Sequence, residues 1–419
     1  MQRIIKIDSL NSLLFVSFFV IFIPLIPIGI ETEPVISFAV AALIIAAFAK
    51  KTDLFKKDVI YLLALVTILL LYTIGQAFFK NDYQGIIEFV KYIIGPVIFL
   101  GMRISKFSIT YSLLKNVIYT LTVIAAVSLL IPGLYVLIFQ HLIPRFAANV
   151  GSEARGIVIL TPEPSYFAIF QTILLITIEK ALSQLSLADN TSSDRKKLLI
   201  LKYLVLFLSL LTKSALVIIY AAIFLIPDLR RFNLKKIVLG VFIIVPFSAL
   251  FIYFFFSSNR LFDVIQLVYT LINDGDFDWN VFLFTQESSG GTRVILNFLA
   301  IAAIFMFPFG AGLGSFSSML NTYGDRYNLD ISKHEVLGSI EGRIYPQTYF
   351  ANLCNDIGFF AFLLIFICFT NNSMDTKNFR IKRNACLIIM LVFQSQITNP
   401  AFWYLLAVSK ITSDEKIIK

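Results

Sequence analysis

Short basic clusters interrupt this chain at every second gap between long apolar runs, and the gaps between carry few cations until one long charged stretch late in the sequence. In order, the clusters are Arg3 and Lys6; Lys50, Lys51, Lys56 and Lys57; Arg103 and Lys106; Lys180 with Arg195, Lys196 and Lys197; Arg230, Arg231, Lys235 and Lys236; and Lys377, Arg380, Lys382 and Arg383. Loops that stay in the cytoplasm retain Lys and Arg, so such alternation sets both the number of membrane crossings and their direction. The fold it dictates is an all-α polytopic integral membrane protein.

Composition agrees: 58% of the 419 residues are hydrophobic, against roughly 45–50% in soluble domains. The formal charge of +9 does not call for nucleic acid, because more than half of the 35 Lys and Arg residues lie in the clusters above. Positive-inside bias explains the excess. Cys354, Cys368 and Cys386 sit in or beside apolar runs without ligand spacing, so neither a disulfide framework nor a metal site is indicated, and no cofactor motif is present. The cationic N-terminus leads into an apolar run of about 20 residues with no small-residue cleavage site, which reads as a retained first helix.

Candidate spans are residues 10–30, 34–49, 59–79, 85–100, 109–131, 157–178, 198–211, 214–226 and 237–256. With the N-terminus inside, these leave the chain outside at Ser257. Counting the apolar run 294–309 as another crossing would put the Lys377 to Arg383 cluster outside, against the charge rule. It reads instead as a helix at the outer interface or half-inserted, making residues 257–347 one long extracytoplasmic loop. Residues 348–369 then return the chain inside. The last apolar block, 385–408, is broken at Asn399-Pro400 and is either one kinked span or two short ones, which leaves the side of the C-terminus open. The whole is a single membrane-embedded domain, 1–419, of about 11–12 transmembrane helices. Residues 183–197 read as a polar inner loop.

Chemistry concentrates in two outer segments. The first, residues 145–164, carries Arg145 and Arg155 and ends on Glu163, held between Pro162 and Pro164 at or near the start of an apolar helix. A proline-constrained carboxylate so close to hydrocarbon is a functional candidate; the alternative is an acid complementing the helix dipole, worth about 0.3–1 kcal/mol. The second contains Arg293, the glycine-rich run 309–316, and His334, Glu341, Arg343, Tyr345 and Gln347 ahead of a return helix holding Asn352 and Asn355. The glycines fit a tight turn against the membrane body and fail as a dinucleotide fingerprint, since no strand precedes them. Arg155, Arg293 and Arg343 are outer guanidiniums from separate segments, and planar forks suit phosphate oxygens; docking on Asp274, Asp276, Asp278 or Glu287 is the other use for them. Glu88 and Lys91 stand at i, i+3 and pair either for structural neutralisation or to line a polar cavity. Lys213 falls at an outer turn and Lys115 reads as snorkelling. Phe277, Trp279, Phe282, Tyr323 and Tyr327 either stack on sugars or anchor the loop.

Glu163-Pro164-Ser165 preceded by Arg155, a late outer loop with Arg293, the turn FPFGAGLGSF (307–316) and the helix YFANLCNDIGFF (349–360) together resemble the O-antigen polymerase family, the Wzy-type enzymes grouped with O-antigen ligases among the GT-C-like membrane glycosyltransferases. The resemblance covers the chain in pattern from about Arg155 onward and the N-terminal half in topology only. It implies a metal-independent enzyme of the cytoplasmic (inner) membrane with its active site on the extracytoplasmic face. The implied reaction transfers a growing glycan from undecaprenyl diphosphate to the terminal sugar hydroxyl of another lipid-linked repeat unit. Partners implied are the undecaprenyl-diphosphate-linked oligosaccharide, membrane lipids and a chain-length regulator protein. On this pattern Arg155 and Arg293 stabilise the departing diphosphate and Glu163 orients or deprotonates the acceptor hydroxyl. Arg343, Arg145, Lys213, His334, Tyr345 and Gln347 are the substrate-binding candidates. Ligases typically carry a His-Asn pair at the start of the return helix, where this chain reads Tyr345-Pro346-Gln347-Thr348, which favours a polymerase. A ligase delivering finished glycan to another acceptor, or a flippase or transporter of the same pathway, are the alternatives.

Overall fold

The computed structural model describes residues 6–23, 34–50, 56–80, 83–143, 157–187, 192–212, 214–229, 288–327, 329, 331, 344–369, 376–392, 397–411, 417 and 418. Among these the secondary structure is helical, and the only β pairing is an isolated bridge between Ile109 and Ile418. The helices are α1 (Ile7–Ser17), α2 (Val35–Phe48), α3 (Lys57–Lys80), α4 (Gln84–Ile104), α5 (Tyr111–Leu130), α6 (Pro132–Phe139), α7 (Phe167–Leu187), α8 (Ser192–Leu211), α9 (Ala215–Leu229), α10 (Ser288–Ala302), α11 (Phe316–Arg326), α12 (Tyr349–Ile357), α13 (Phe362–Phe369), α14 (Lys377–Val392) and α15 (Pro400–Ser409). Among the described residues, five helical stretches are long and apolar enough to cross a bilayer: Lys57–Phe79, Gln84–Ile104, Tyr111–Leu130, Pro164–Ser186 and Tyr349–Phe369. The chain is therefore an all-α polytopic membrane protein. The candidate span 237–256 lies outside the described residues.

Local chemistry sets the helix starts. Thr110, Thr348 and Asn399 each accept a hydrogen bond from a first-turn amide, at 3.2, 3.1 and 2.9 Å, and Pro400 occupies the first turn where its missing N–H costs nothing. The block 385–408 accordingly resolves into two helices. α14 ends at Val392, whose carbonyl accepts from Asn297 of α10 at 3.0 Å, and α15 begins anew with all ten residues buried.

Burial sorts the spans. In Pro164–Ser186, 83% of the spanning window is buried, against 33% in Lys57–Phe79 and 28% in Tyr111–Leu130, so α7 is central while α3 and α5 keep a wide apolar face outward. Because lipid tails are as apolar as Leu, helices associate through packing and interhelical hydrogen bonds. Gln171 donates to the Val217 carbonyl at 3.1 Å, Thr177 shares a 2.6 Å hydrogen bond with the Tyr404 hydroxyl, and Ser17 meets Ser37 at 2.7 Å.

Among the described residues, the ion pairs that join different helices collect at one end of the bundle. Arg103 at the end of α4 pairs with Asp58 at the start of α3 at 3.3 Å and donates to the Lys410 carbonyl at 2.7 Å. Burial pushes the Lys410 ammonium down to about 8, partly opposed by the Asp58 carboxylate. Glu179 of α7 is shared by Lys202 of α8 at 2.6 Å and Lys382 of α14 at 2.8 Å, with both lysines fully buried. The chain's end returns here as well: Ile417 donates to Gln184 at 3.1 Å and accepts from the Ile109 amide at 2.8 Å.

Two sequence expectations need correction. Residues 183–187 and 192–197 are helical and not loop, since α7 continues to Leu187 and α8 starts at Ser192, with 188–191 outside the described residues. An i,i+3 pair of Asp194 and Lys197 at 2.9 Å supports that first turn although apolar periodicity has ended. The candidate span 157–178 also starts too early, because residues 157–163 are irregular and regular helix begins after Glu163.

Candidate functional site

Glu163 sits at the end opposite the ion pairs, on a segment tied down at several points. The Ile157 amide donates to the Leu211 carbonyl at 3.1 Å, the Leu160 amide to the Tyr135 hydroxyl at 3.0 Å, and the Thr161 hydroxyl to the Glu163 carbonyl at 2.8 Å. Leu160 adopts φ +52, a left-handed conformation that costs a γ-branched residue about 1–2 kcal/mol. Extended backbone at Glu163 (φ −140, ψ 154) then leads into the 3₁₀ turn Pro164–Tyr166 and α7. The half-buried carboxylate makes no capping hydrogen bond to that turn. A fixed backbone thus carries an acid that is not spent on helix capping.

Arg293, half-buried, lies in the early turns of α10. One turn on, Asn297 accepts from the Gln347 amide at 2.8 Å, so the start of α12 is stitched to α10. Gln347 itself turns its side-chain amide toward the Tyr345 carbonyl at 3.5 Å. Tyr345 reaches the other way: its hydroxyl donates to Glu88 at 3.1 Å and its ring lies beneath the Lys91 ammonium, 4.8 Å from the centroid. Lys91 completes the group with a 2.7 Å bond to the same Glu88 oxygen. Glu88 is buried and Lys91 is 18% exposed, so the pair neutralises an acid that a neighbouring loop covers.

That loop is the glycine turn between α10 and α11. Descending α10 and ascending α11 lie beside α12, and the turn joining them is docked on buried polar groups of three helices. Gln76 of α3 clasps Leu313, accepting from its amide at 3.0 Å and donating to its carbonyl at 3.2 Å. Tyr72 of α3 donates to the Phe309 carbonyl. Asp356 of α12 accepts from Tyr92 of α4 at 2.7 Å, from Asn355 at 2.8 Å and from the Gly314 amide at 3.3 Å. Gly314, at φ +72, stands so close to Glu88 that a Cβ would lie 2.9 Å from its Cγ. Below it, Gly358 ends α12 at φ +60, and a Cβ there would fall 2.0 Å from the Pro308 carbonyl oxygen. The turn follows from glycine backbone that larger residues could not copy.

Asp356 is the residue the sequence reading passed over. The signal was present: it is the lone acid of residues 348–369, and an acid within a span is a functional or structural anchor. Two aromatics read as sugar-stacking or anchoring are inward-facing anchors. Tyr323 is fully buried with its hydroxyl on Asn355 at 2.7 Å, and Tyr327 packs its ring edge-on to Phe298. Phe277, Trp279, Phe282, Arg145, Arg155, Lys213, His334, Glu341 and Arg343 lie outside the described residues. Glu163, Arg293, Tyr345 and Gln347 are all placed at the end remote from the interhelical ion pairs, and the described contacts join Arg293's helix to Tyr345 and Gln347 but not to Glu163. No protein-family model and no curated protein sequence matches the chain.

Proposed function

We propose that this protein is a polysaccharide repeat-unit polymerase, a membrane glycosyltransferase that elongates a glycan carried on a lipid diphosphate. Positive-inside bias puts the ion-paired end in the cytoplasm. Glu163, Arg293 and the glycine turn then face the extracytoplasmic side, the turn entering the bilayer as a half-inserted helix–turn–helix. Irregular backbone at such depth is tolerated only where protein satisfies its polar groups, as Gln76 and Asp356 do here.

The observation that carries the reading is the rigid presentation of Glu163. Residues held in sparsely populated backbone regions cluster at functional sites, and Leu160 is strained three positions before it. In the reaction, the acceptor hydroxyl oxygen bonds to the anomeric carbon of the donor sugar. The bond from that carbon to the diphosphate oxygen breaks, and the lipid diphosphate leaves with the electron pair. Glu163 takes the hydroxyl proton, a contribution of about 10²–10⁴ in rate for a positioned base. Arg293 with Arg155 offsets charge growing on the diphosphate.

The test is the size and lipid linkage of surface glycan in the native host with the gene deleted, then restored as wild type, Glu163→Gln or Arg293→Ala at matched protein level. Collapse of a long ladder to single repeat units, reversed by wild type alone, is the expected result. Long chains held on the lipid carrier in the deletion strain would mean a ligase. Repeat units trapped facing the cytoplasm would mean a transporter, and a full ladder from both variants would remove these residues from the site.

A further inference from the structure

At the ion-paired end, between α7, α8 and the start of α14, the helices leave a cavity of about 250 Å³. Its walls carry Ser183, Ser186, Arg195, Tyr203, Thr376 and Asn378, over a floor of Leu182, Leu199 and Phe379 beside Glu179. The hydroxyls are held in place: Ser183 and Thr376 share a 2.9 Å hydrogen bond across the helices, and Ser186 donates to the Ser183 carbonyl at 2.7 Å.

The charge around it is positive. Both oxygens of Glu179 are taken, one by Lys202 and one by Lys382, so the one acid in the lining faces two ammoniums. Lys180, buried, lies over the Phe379 ring at 5.2 Å from the centroid. Arg195 adds a guanidinium at the wall, while the nearby Asp194 is engaged by Lys197 at 2.9 Å. Basic pockets between helices on the cytoplasmic side take anionic headgroups. The volume is below the roughly 300–1,000 Å³ of drug-sized ligand pockets, which fits a phosphate with a short polar substituent.

We infer that this cavity binds an anionic phosphate group, with Arg195 as the charged contact and Ser183, Ser186, Thr376 and Asn378 as hydrogen-bonding neighbours. The phosphate belongs either to a phospholipid headgroup of the inner leaflet or to a soluble phosphorylated metabolite. The site is independent of the polymerase reading, being at the opposite end from Glu163 and Arg293.

The full-length protein, purified and delipidated in detergent, is titrated with phosphatidylglycerol or phosphatidylcholine, with native mass spectrometry counting retained lipid and thermal unfolding run in parallel. Arg195→Gln is compared with Lys197→Gln, an exposed cation on the same helical turn outside the cavity lining. The expected result is one phosphatidylglycerol retained and a raised midpoint, with affinity about tenfold weaker in Arg195→Gln, as loss of one charge-assisted hydrogen bond permits, and unchanged in Lys197→Gln. Soluble glycerol 3-phosphate that raises the midpoint alone and displaces the lipid assigns the site to a free phosphate; lipid retention that it cannot compete assigns it to the headgroup. Equal retention by wild type and Arg195→Gln, equal losses in the two variants, or no preference for the anionic lipid would overturn the proposal.

Discussion

The two polar regions of this bundle solve one problem in opposite ways. At the ion-paired end, Glu179 is neutralised by charge, with two buried ammoniums on its two oxygens. At the other end, Asp356 is surrounded by neutral donors, the Tyr92 hydroxyl, the Asn355 amide and the Gly314 N–H. The first arrangement depends on the acid being ionised; the second depends on oxygens being where the donors point. The difference teaches that one end joins its helices by charge, whereas the other, whose Glu88–Lys91 pair stays within a single helix, joins them by hydrogen bonds to a backbone turn.

The largest effect that would test the contrast is at Glu179. Glu179→Gln leaves two buried lysines with a neutral partner, and breaking a buried ion pair from one side costs about 3–5 kcal/mol. The folded yield and thermal midpoint should fall sharply. Replacing Glu179, Lys202 and Lys382 together with apolar residues of similar volume should restore much of the loss; no recovery would mean the charges do more than offset one another. Next comes Gly358→Ala, which sets a methyl on the Pro308 carbonyl and forces an L-residue to φ +60, about 2–4 kcal/mol from backbone strain and overpacking. Limited proteolysis between α10 and α11 should rise in that variant while the Glu179 site stays intact.

Asp356→Asn sharpens the comparison most. The amide oxygen still accepts from both Tyr92 and Gly314, while the new NH2 replaces the oxygen that accepted from Asn355, so the expected cost is about 1–3 kcal/mol. A loss as large as that of Glu179→Gln would show that Asp356 is held by charge after all. The smallest effect is a pH dependence at the ion-paired end. Burial lowers the folded Lys410 pKa to about 8 from the ordinary lysine value of about 10.4, so between those values the unfolded chain binds more protons and stability rises with pH. The slope, at most about 1.4 kcal/mol per pH unit, should disappear in Lys410→Met when midpoints are compared from pH 8 to 10.

Much of this architecture was legible from the basic clusters. Two cluster members, Arg103 and Lys382, meet acids at one end of the bundle, whereas Lys202, which joins Lys382 on Glu179, stood in no cluster. The Asn399-Pro400 break was read without knowing which of two outcomes it produced, because a proline fixes where a helix starts but not how far its predecessor runs. The Glu88–Lys91 pair followed from helical spacing alone, whereas its cover by Tyr345 and Gly314 joins residues from distant parts of the chain and has no sequence period to reveal it. The helical ends at 183–187 and 192–197 were missed for a related reason: hydropathy marks where a helix enters lipid, and α7 and α8 extend past that boundary.

The sharing of Glu179 also imposes an order on synthesis. Lys202 arrives with the very next helix, so α7 and α8 can close on each other as soon as both leave the ribosome. Lys382 belongs to α14 and is made only after α10, the glycine turn, α11 and α12. The second ammonium reaches Glu179 only when the C-terminal helices dock, so a chain cut short before residue 377 holds the Lys202 half of the ion site and leaves the other carboxylate oxygen without its ammonium.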